Sequence, residues 1–204
     1  MSGKATMKNF KTMLGQAKLP ERTVDICLRG DLVAAHKAAE QALIEAQRTA
    51  SNSKEGNGVG VLIAEVERIQ EQMKASTFPF LIRALSRPRF RALQKAHPPR
   101  RGDDGELDEN DAKVGFNRET FFDALLKCTT AEPDMGVDTE AYFTSLLAGN
   151  HPVLPDGDWP ELLDKLVDSQ YGDLTDAAWF VNRDEVSVPF SLAASLAKQA
   201  SAGE

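Results

Sequence analysis

The run RTVDICLRGDL, residues 22–32, decides how the chain is read. Across 23–28 the residues alternate, with Val24, Ile26 and Leu28 on one face and Thr23, Asp25 and Cys27 on the other. A period of two marks a half-buried strand. Arg29-Gly30-Asp31 then turns the chain, and Asp31 stands where a helix N-cap belongs. An Arg-Gly-Asp tripeptide is also an adhesion signal, but residues 1–10 lack the apolar core of a secretory signal. The turn reading is preferred.

Working outward, residues 32–50 are alanine-rich and strongly helical. Ala35, Ala38, Ala39, Ala42 and Ala46 allow close approach of a neighbour, while Leu32 and Leu43 supply bulk. The polar run SNSKEGNG, residues 51–58, reads as a connector. A second helix spans 59–76, where Leu62, Val66, Ile69 and Met73 recur at alternating spacings of four and three. Such a two-heptad seam suits an antiparallel helical hairpin. Self-association through the same seam is the alternative, and the short connector favours the intramolecular pairing. Residues 77–85, TFPFLIRAL, alternate again, with Phe78, Phe80 and Ile82 on one side. Pro79 has no ladder donor, which predicts an edge strand. An up-down hairpin returns the chain to its starting edge, so the two strands pair antiparallel in a β-α-α-β unit. Two strands alone are weak, so their apolar face must lie on the hairpin or on another chain.

Residues 83–101 are the basic centre: Arg83, Arg87, Arg89, Arg91, Lys95, Arg100 and Arg101, with no acid among them. Ser86 is the expected N-cap of a helix with Pro88 in its first turn, Phe90 and Leu93 facing inward, and His97-Pro98-Pro99 as its stop. Clustered cations are the footprint of nucleic-acid binding. Against that, Phe90 reads as core and the whole chain carries −7. The charge is unevenly divided: 18 Lys/Arg against 9 Asp/Glu up to residue 101, then 6 against 22. Such asymmetry marks an interaction surface, either between the halves or with a partner.

GDDGELDENDAKV, residues 102–114, is low in apolar residues and reads as a mobile acidic linker or a long surface loop. A calcium loop begun at Asp108 fails, because Ala112 falls fifth and Lys113 takes the position of the turn glycine. Residues 115–204 read as a bundle of short helices, over 116–129, 139–147, 159–169 and 174–182. Each is too short to stand alone in water. They carry Phe121, Phe122, Tyr142, Phe143, Trp159, Leu162, Trp179 and Phe180, with acids on the remaining faces. Asn117, Asp138 and Asp158 are the expected caps, and 149–152 and 171–173 the expected breaks. Pro189 makes 185–190 extended, and a last helix is expected over 191–199. The predicted fold is α+β and mostly α-helical. It comprises a flexible segment 1–20, the β-α-α-β unit with its basic helix over 21–101, the linker 102–114 and the bundle with its tail over 115–204.

Nothing in the chain has the spacing of a catalytic or cofactor motif. His36, His97 and His151 sit in separate contexts, and Cys27 and Cys128 match neither metal nor disulfide spacing. There is no P-loop, G-x-G-x-x-G, G-x-S-x-G or H-E-x-x-H. No apolar run reaches the roughly 20 residues that span a bilayer. The expectation is a non-enzymatic protein of a bacterial cytoplasm, without cofactor or metal.

Several stretches resemble the tail assembly chaperones of long-tailed phages and prophages, particularly those of actinobacteria. They are the strand-turn-helix run from Arg22, the Thr77-Phe78-Pro79-Phe80 stretch leading to Pro88-Arg89-Phe90-Arg91, and a soft C-terminal pattern. That pattern comprises Phe116-Asn117, Phe121-Phe122-Asp123-Ala124-Leu125-Leu126, Cys128, Pro133, Trp159, Leu162-Leu163, Leu174, Ala177-Ala178-Trp179, Val181-Asn182 and Val188-Pro189-Phe190-Ser191. The resemblance implies a chaperone that keeps the helical tape-measure protein soluble until tail-tube subunits polymerise around it, with the tail-tube protein as a second partner. Phe121, Phe122, Trp159, Leu162 and Trp179 are then the partner-binding candidates, although aromatic residues at helical spacing also read as core. The alternatives are a tail or neck protein retained in the particle, and a nucleic-acid binder using the basic patch.

Overall fold

The computed structural model describes residues 7–50 and 58–183. In chain order these form α1 (Met7–Gln16), β1 (Glu21–Cys27), α2 (Gly30–Ala50), α3 (Val59–Ala75), β2 (Thr77–Arg83) and α4 (Arg87–Ala96). They continue with α5 (Glu109–Val114), α6 (Arg118–Thr129), β3 (Thr130–Glu132), α7 (Thr139–Leu147), α8 (Trp159–Leu163) and α9 (Asp168–Arg183). The fold is α+β and mostly helical, with one small antiparallel sheet. The strands and the hairpin helices stand where the two alternating runs and the heptad seam put them.

In the sheet, Val24 faces Phe80 and Ile26 faces Phe78, so both strands present their apolar sets to one side. The strand order is β1-β2-β3, which makes β2 central and corrects the edge expectation drawn from Pro79. The proline is tolerated because β3 reaches only Leu81 and Ile82 and leaves β2 uncovered at Pro79. The apolar face of the sheet does not rest on the hairpin, which corrects a second expectation. It lies on α9 and α6, and Ile26, Phe80 and Ile82 share one core with Phe90, Leu93, Phe121, Leu125, Phe143 and Leu174. Gln170 Nε2 donates to the Cys27 carbonyl (2.7 Å), and the Leu85 N–H donates to Asn182 Oδ1 (2.8 Å). These two bonds tie α9 to the sheet near both of its ends.

The hairpin leaves the sheet end-on. Cys27 pairs with Thr77, the Leu28 N–H donates to the Ser76 carbonyl, and α2 and α3 then pack on each other. With any other described element they make only glancing contact. At ~1.5 Å per residue, α2 is about 30 Å long. Asp31 lies in its first turn rather than at its cap and pairs with Arg29 (2.6 Å), so the Arg-Gly-Asp turn is closed on itself. On α1, Phe10, Met13 and Leu14 are all exposed.

The acidic stretch 102–114 contains local structure, including the short helix α5. Arg101 bridges to Leu107, the Asp108 side chain accepts from the N–H groups of Asn110 and Asp111, and α5 ends at Gly115 with φ +82°. Asp111 is buried, and its carboxylate accepts from Arg100 Nε (2.8 Å), Nη2 and N–H, and from the Arg118 N–H. Composition alone does not reveal this arrangement, because the group that organises the segment is itself a carboxylate.

In the C-terminal half α7 matches its expected span, and Asn117 and Asp138 cap their helices. Ser86 and Asp158 occupy N-cap positions without side-chain cap bonds. The expected break at 171–173 is absent, because α9 runs through Gly172, where a side-chain Cβ would meet no neighbour within 4 Å. Burial of Leu174, Ala177 and Ala178 outweighs the local cost of that glycine. The helix expected over 159–169 is split into α8 and the start of α9. β3, which follows α6 directly, has no signal in the sequence reading. The runs 185–190 and 191–199 and most of the 51–58 connector lie outside the described residues. Among the described residues no helix is long and apolar enough to cross a membrane.

Candidate interaction surfaces

The five aromatic and leucine candidates divide by burial. Phe121 is wholly buried, with its ring centroid 4.0 Å from Phe116, 5.7 Å from Phe122, 5.9 Å from Phe90 and 6.3 Å from Trp179. Trp159 is also buried, and its indole N–H has no hydrogen-bond partner. Neither offers a face to a partner. Phe122, Leu162 and Trp179 are half-buried and pack on the same core, with the Arg183 guanidinium 5.0 Å from the Trp179 ring centroid. Phe121, Phe122 and Trp179 thus form one internal cluster. Trp159 belongs to α8 and makes no ring contact with it among the described residues.

The basic patch is likewise divided, this time by ion pairing. Arg83 holds Glu21 (2.6 Å), and Arg89 holds Glu140 (2.6 and 2.7 Å) while lying over the Phe143 ring. Arg100 holds Asp111 and also contacts Glu119 and Asp108, and Arg101 donates to the Gly105 carbonyl. The Arg100 hydrogen bonds keep the Asp111 carboxyl well below the ordinary carboxylate range, although its burial acts the other way. Arg87, Arg91 and Lys95 are exposed and form no ion pair among the described residues.

Arg91 and Lys95 line a hollow of about 340 Å³ between α4 and the C-terminal end of α7. Ala92, Ala96 and Leu146 form its apolar side, with Leu147, Asn150 and His151 around it. The Arg89–Glu140 pair joins the first turns of the two helices, and the hollow runs along α4 from Pro88 to Ala96 against the C-terminal end of α7. The same two cations border a second hollow of about 490 Å³ beside Pro98, Pro99 and Val114.

The hairpin supplies a third surface. On α2 the half-buried positions are Leu32, His36, Ala39, Leu43 and Ala46, and on α3 the half-buried apolar positions are Val59, Leu62 and Met73, with Val66 and Ile69 buried. Both sets keep the spacing of four and three, so the heptad seam is used up inside the hairpin. His36 Nε2 lies 3.1 Å from Gln70 Nε2 across it. Off the seam, Val33 and Ile63 are exposed, Ile44 is 64% exposed and Val61 74%. The sequence reading passed over these four because they fall outside the periodic stripe. Their mismatch with that stripe was the available signal.

The groups with chemical potential are scattered. Burial of Cys128 pushes its thiol up to about 12, against the opposing pull of Lys127 and Arg89, so it is no nucleophile near neutral pH. Burial lowers the pKa of His97, whose Nδ1 lies 2.9 Å from Thr120 Oγ1. Lys127 is buried between Asp123 (2.6 Å) and Asp156 (2.7 Å). Burial disfavours its charge, but the hydrogen bonds to the two carboxylates outweigh that and leave its pKa raised. Among the described residues no three His, Cys, Asp or Glu side chains gather as metal ligands would. No family model, curated protein or solved structure matches the chain.

Proposed function

We propose that this chain is a non-enzymatic phage tail assembly chaperone, which holds the helical tape-measure protein in soluble form while tail-tube subunits assemble around it. The observation that carries the reading is the α2–α3 arm. Its seam is satisfied internally, yet Val33, Ile44, Val61 and Ile63 are exposed on an element that packs closely on no other described element. An alanine-rich helical pair with scattered apolar side chains is a surface on which amphipathic helices of a client can lie. The sequence resemblance supplies the identity of that client. The aromatic residues of the C-terminal half contribute by holding the arm's platform rigid rather than by touching the client.

The pairing of Arg83, Arg89 and Arg100 with acids of the same chain weighs against a nucleic-acid role for the basic patch. Co-expression with the tape-measure protein encoded in the same genome provides the test. The wild-type chain should keep the client soluble and co-purify with it. The double variant I44E/V61E should fold normally and lose the client, because both side chains are already largely in solvent. If the wild type leaves the client insoluble, the chaperone reading fails. If I44E/V61E retains the client fully, the arm is not its seat. Mass spectrometry of finished particles separates the retained tail or neck protein, which would be present in stoichiometric amount, from a chaperone, which would be absent.

A further inference from the structure

Arg91 and Lys95 lie about one turn apart on α4, and the fold leaves both without a carboxylate among the described residues. Elsewhere in the same basic stretch Arg83, Arg89 and Arg100 are each bound to an acid of this chain. Like charges four residues apart on a helix repel each other. These two also do not project from a flat solvated face. They rim the hollow whose apolar side is Ala92, Ala96 and Leu146, with Leu147 53% exposed at its edge. Among the described residues the site therefore combines unpaired positive charge with uncovered apolar surface. One kind of occupant relieves both: a segment with apolar side chains for the floor and carboxylates for the rim.

We infer that the groove between α4 and the C-terminal end of α7 is a docking site for an acidic amphipathic helix of a protein partner. The sign of the rim charge sets the sign of the partner, since opposite potentials across an interface set register and partner choice. The lining favours protein over nucleic acid, because it holds no Phe, Tyr or Trp on which a base could stack. This site is distinct from the α2–α3 arm and does not rest on the chaperone reading.

The test is fluorescence anisotropy with a labelled synthetic helix carrying leucine at i, i+3, i+4 and i+7 and glutamate elsewhere. A lysine version of the same peptide and a duplex DNA serve as comparators. The glutamate peptide should bind the wild-type chain and the lysine peptide should not. R91E/K95E should weaken binding about tenfold or more, equivalent to ~1.4 kcal/mol. K18E/K37E, placed on exposed lysines elsewhere, should leave it unchanged. L147D should also weaken binding while the helical circular dichroism is retained, which isolates the apolar part of the site. Equal binding by wild type and R91E/K95E would overturn the inference, as would no binding of the glutamate peptide. Retention of the DNA through Arg91 and Lys95, with the peptide left unbound, would make the groove a phosphate site instead.

Discussion

Replacing Phe121 with alanine separates a core role from a client-contact role. The ring is wholly buried, and five aromatic rings, those of Phe116, Phe122, Phe90, His97 and Trp179, surround it at centroid distances of 4.0 to 6.3 Å. Phe90 comes from α4, Phe122 from α6, Trp179 from α9, and Phe116 from the turn before α6. Each of these is pinned independently: the Asn117 cap fixes the start of α6, and the Asn182–Leu85 bond fixes the end of α9. The void left by the ring therefore cannot collapse easily. Phe-to-Ala changes in such settings cost ~3–5 kcal/mol, and the upper half of that range is expected here. In a chain of this size each kcal/mol lowers Tm by ~2–4 °C, so the variant should melt about 8–20 °C lower. Thermal melts and urea titrations measure the loss, and client co-purification below the melting range measures binding. A Tm within about 3 °C of wild type would refute the packing argument. Loss of the client at unchanged Tm would return Phe121 to the interface.

Two further outcomes follow from the buried polar groups. The folded-state pKa of Asp111 lies below its unfolded value, so its contribution to stability is present above roughly pH 4 and is lost as pH falls through the folded value. D111N should therefore melt lower than wild type at pH 7, and the two melting curves should converge as the pH is taken down into the acid range. Curves that stay parallel across that range would show that the Arg100–Asp111 pair does not hold the segment. With its thiol pushed up to about 12 and its side chain buried, Cys128 should resist a thiol reagent in the native protein and react only after denaturation. Half-buried Cys27 should react first, so C27S should be inert until unfolded, and prompt labelling of native C27S would contradict the packing around α6.

The sequence by itself determined what depends on local periodicity. The alternation of Val24 and Ile26 and of Phe78, Phe80 and Ile82 specified two strands. The spacing of Leu62, Val66, Ile69 and Met73 specified the hairpin between them, and the Asn117 and Asp138 side chains specified two helix starts. Each of these signals acts within a few residues, where backbone geometry and side-chain direction are set by near neighbours. Only the tertiary structure decided what covers the sheet, because the choice between the hairpin and α9 with α6 depends on contacts between residues more than 80 positions apart, such as Leu85 and Asn182. It also decided that the acidic 102–114 run folds around Asp111 once Arg100 and Arg118 supply donors. Burial alone divided the five partner-binding candidates into inaccessible and half-covered residues. The basic patch is the clearest case: seven cations look alike in sequence. Three-dimensional pairing neutralises Arg83, Arg89 and Arg100 and leaves Arg91 and Lys95 at the mouth of a groove, because charge compensation depends on which acids the fold brings within a few ångströms.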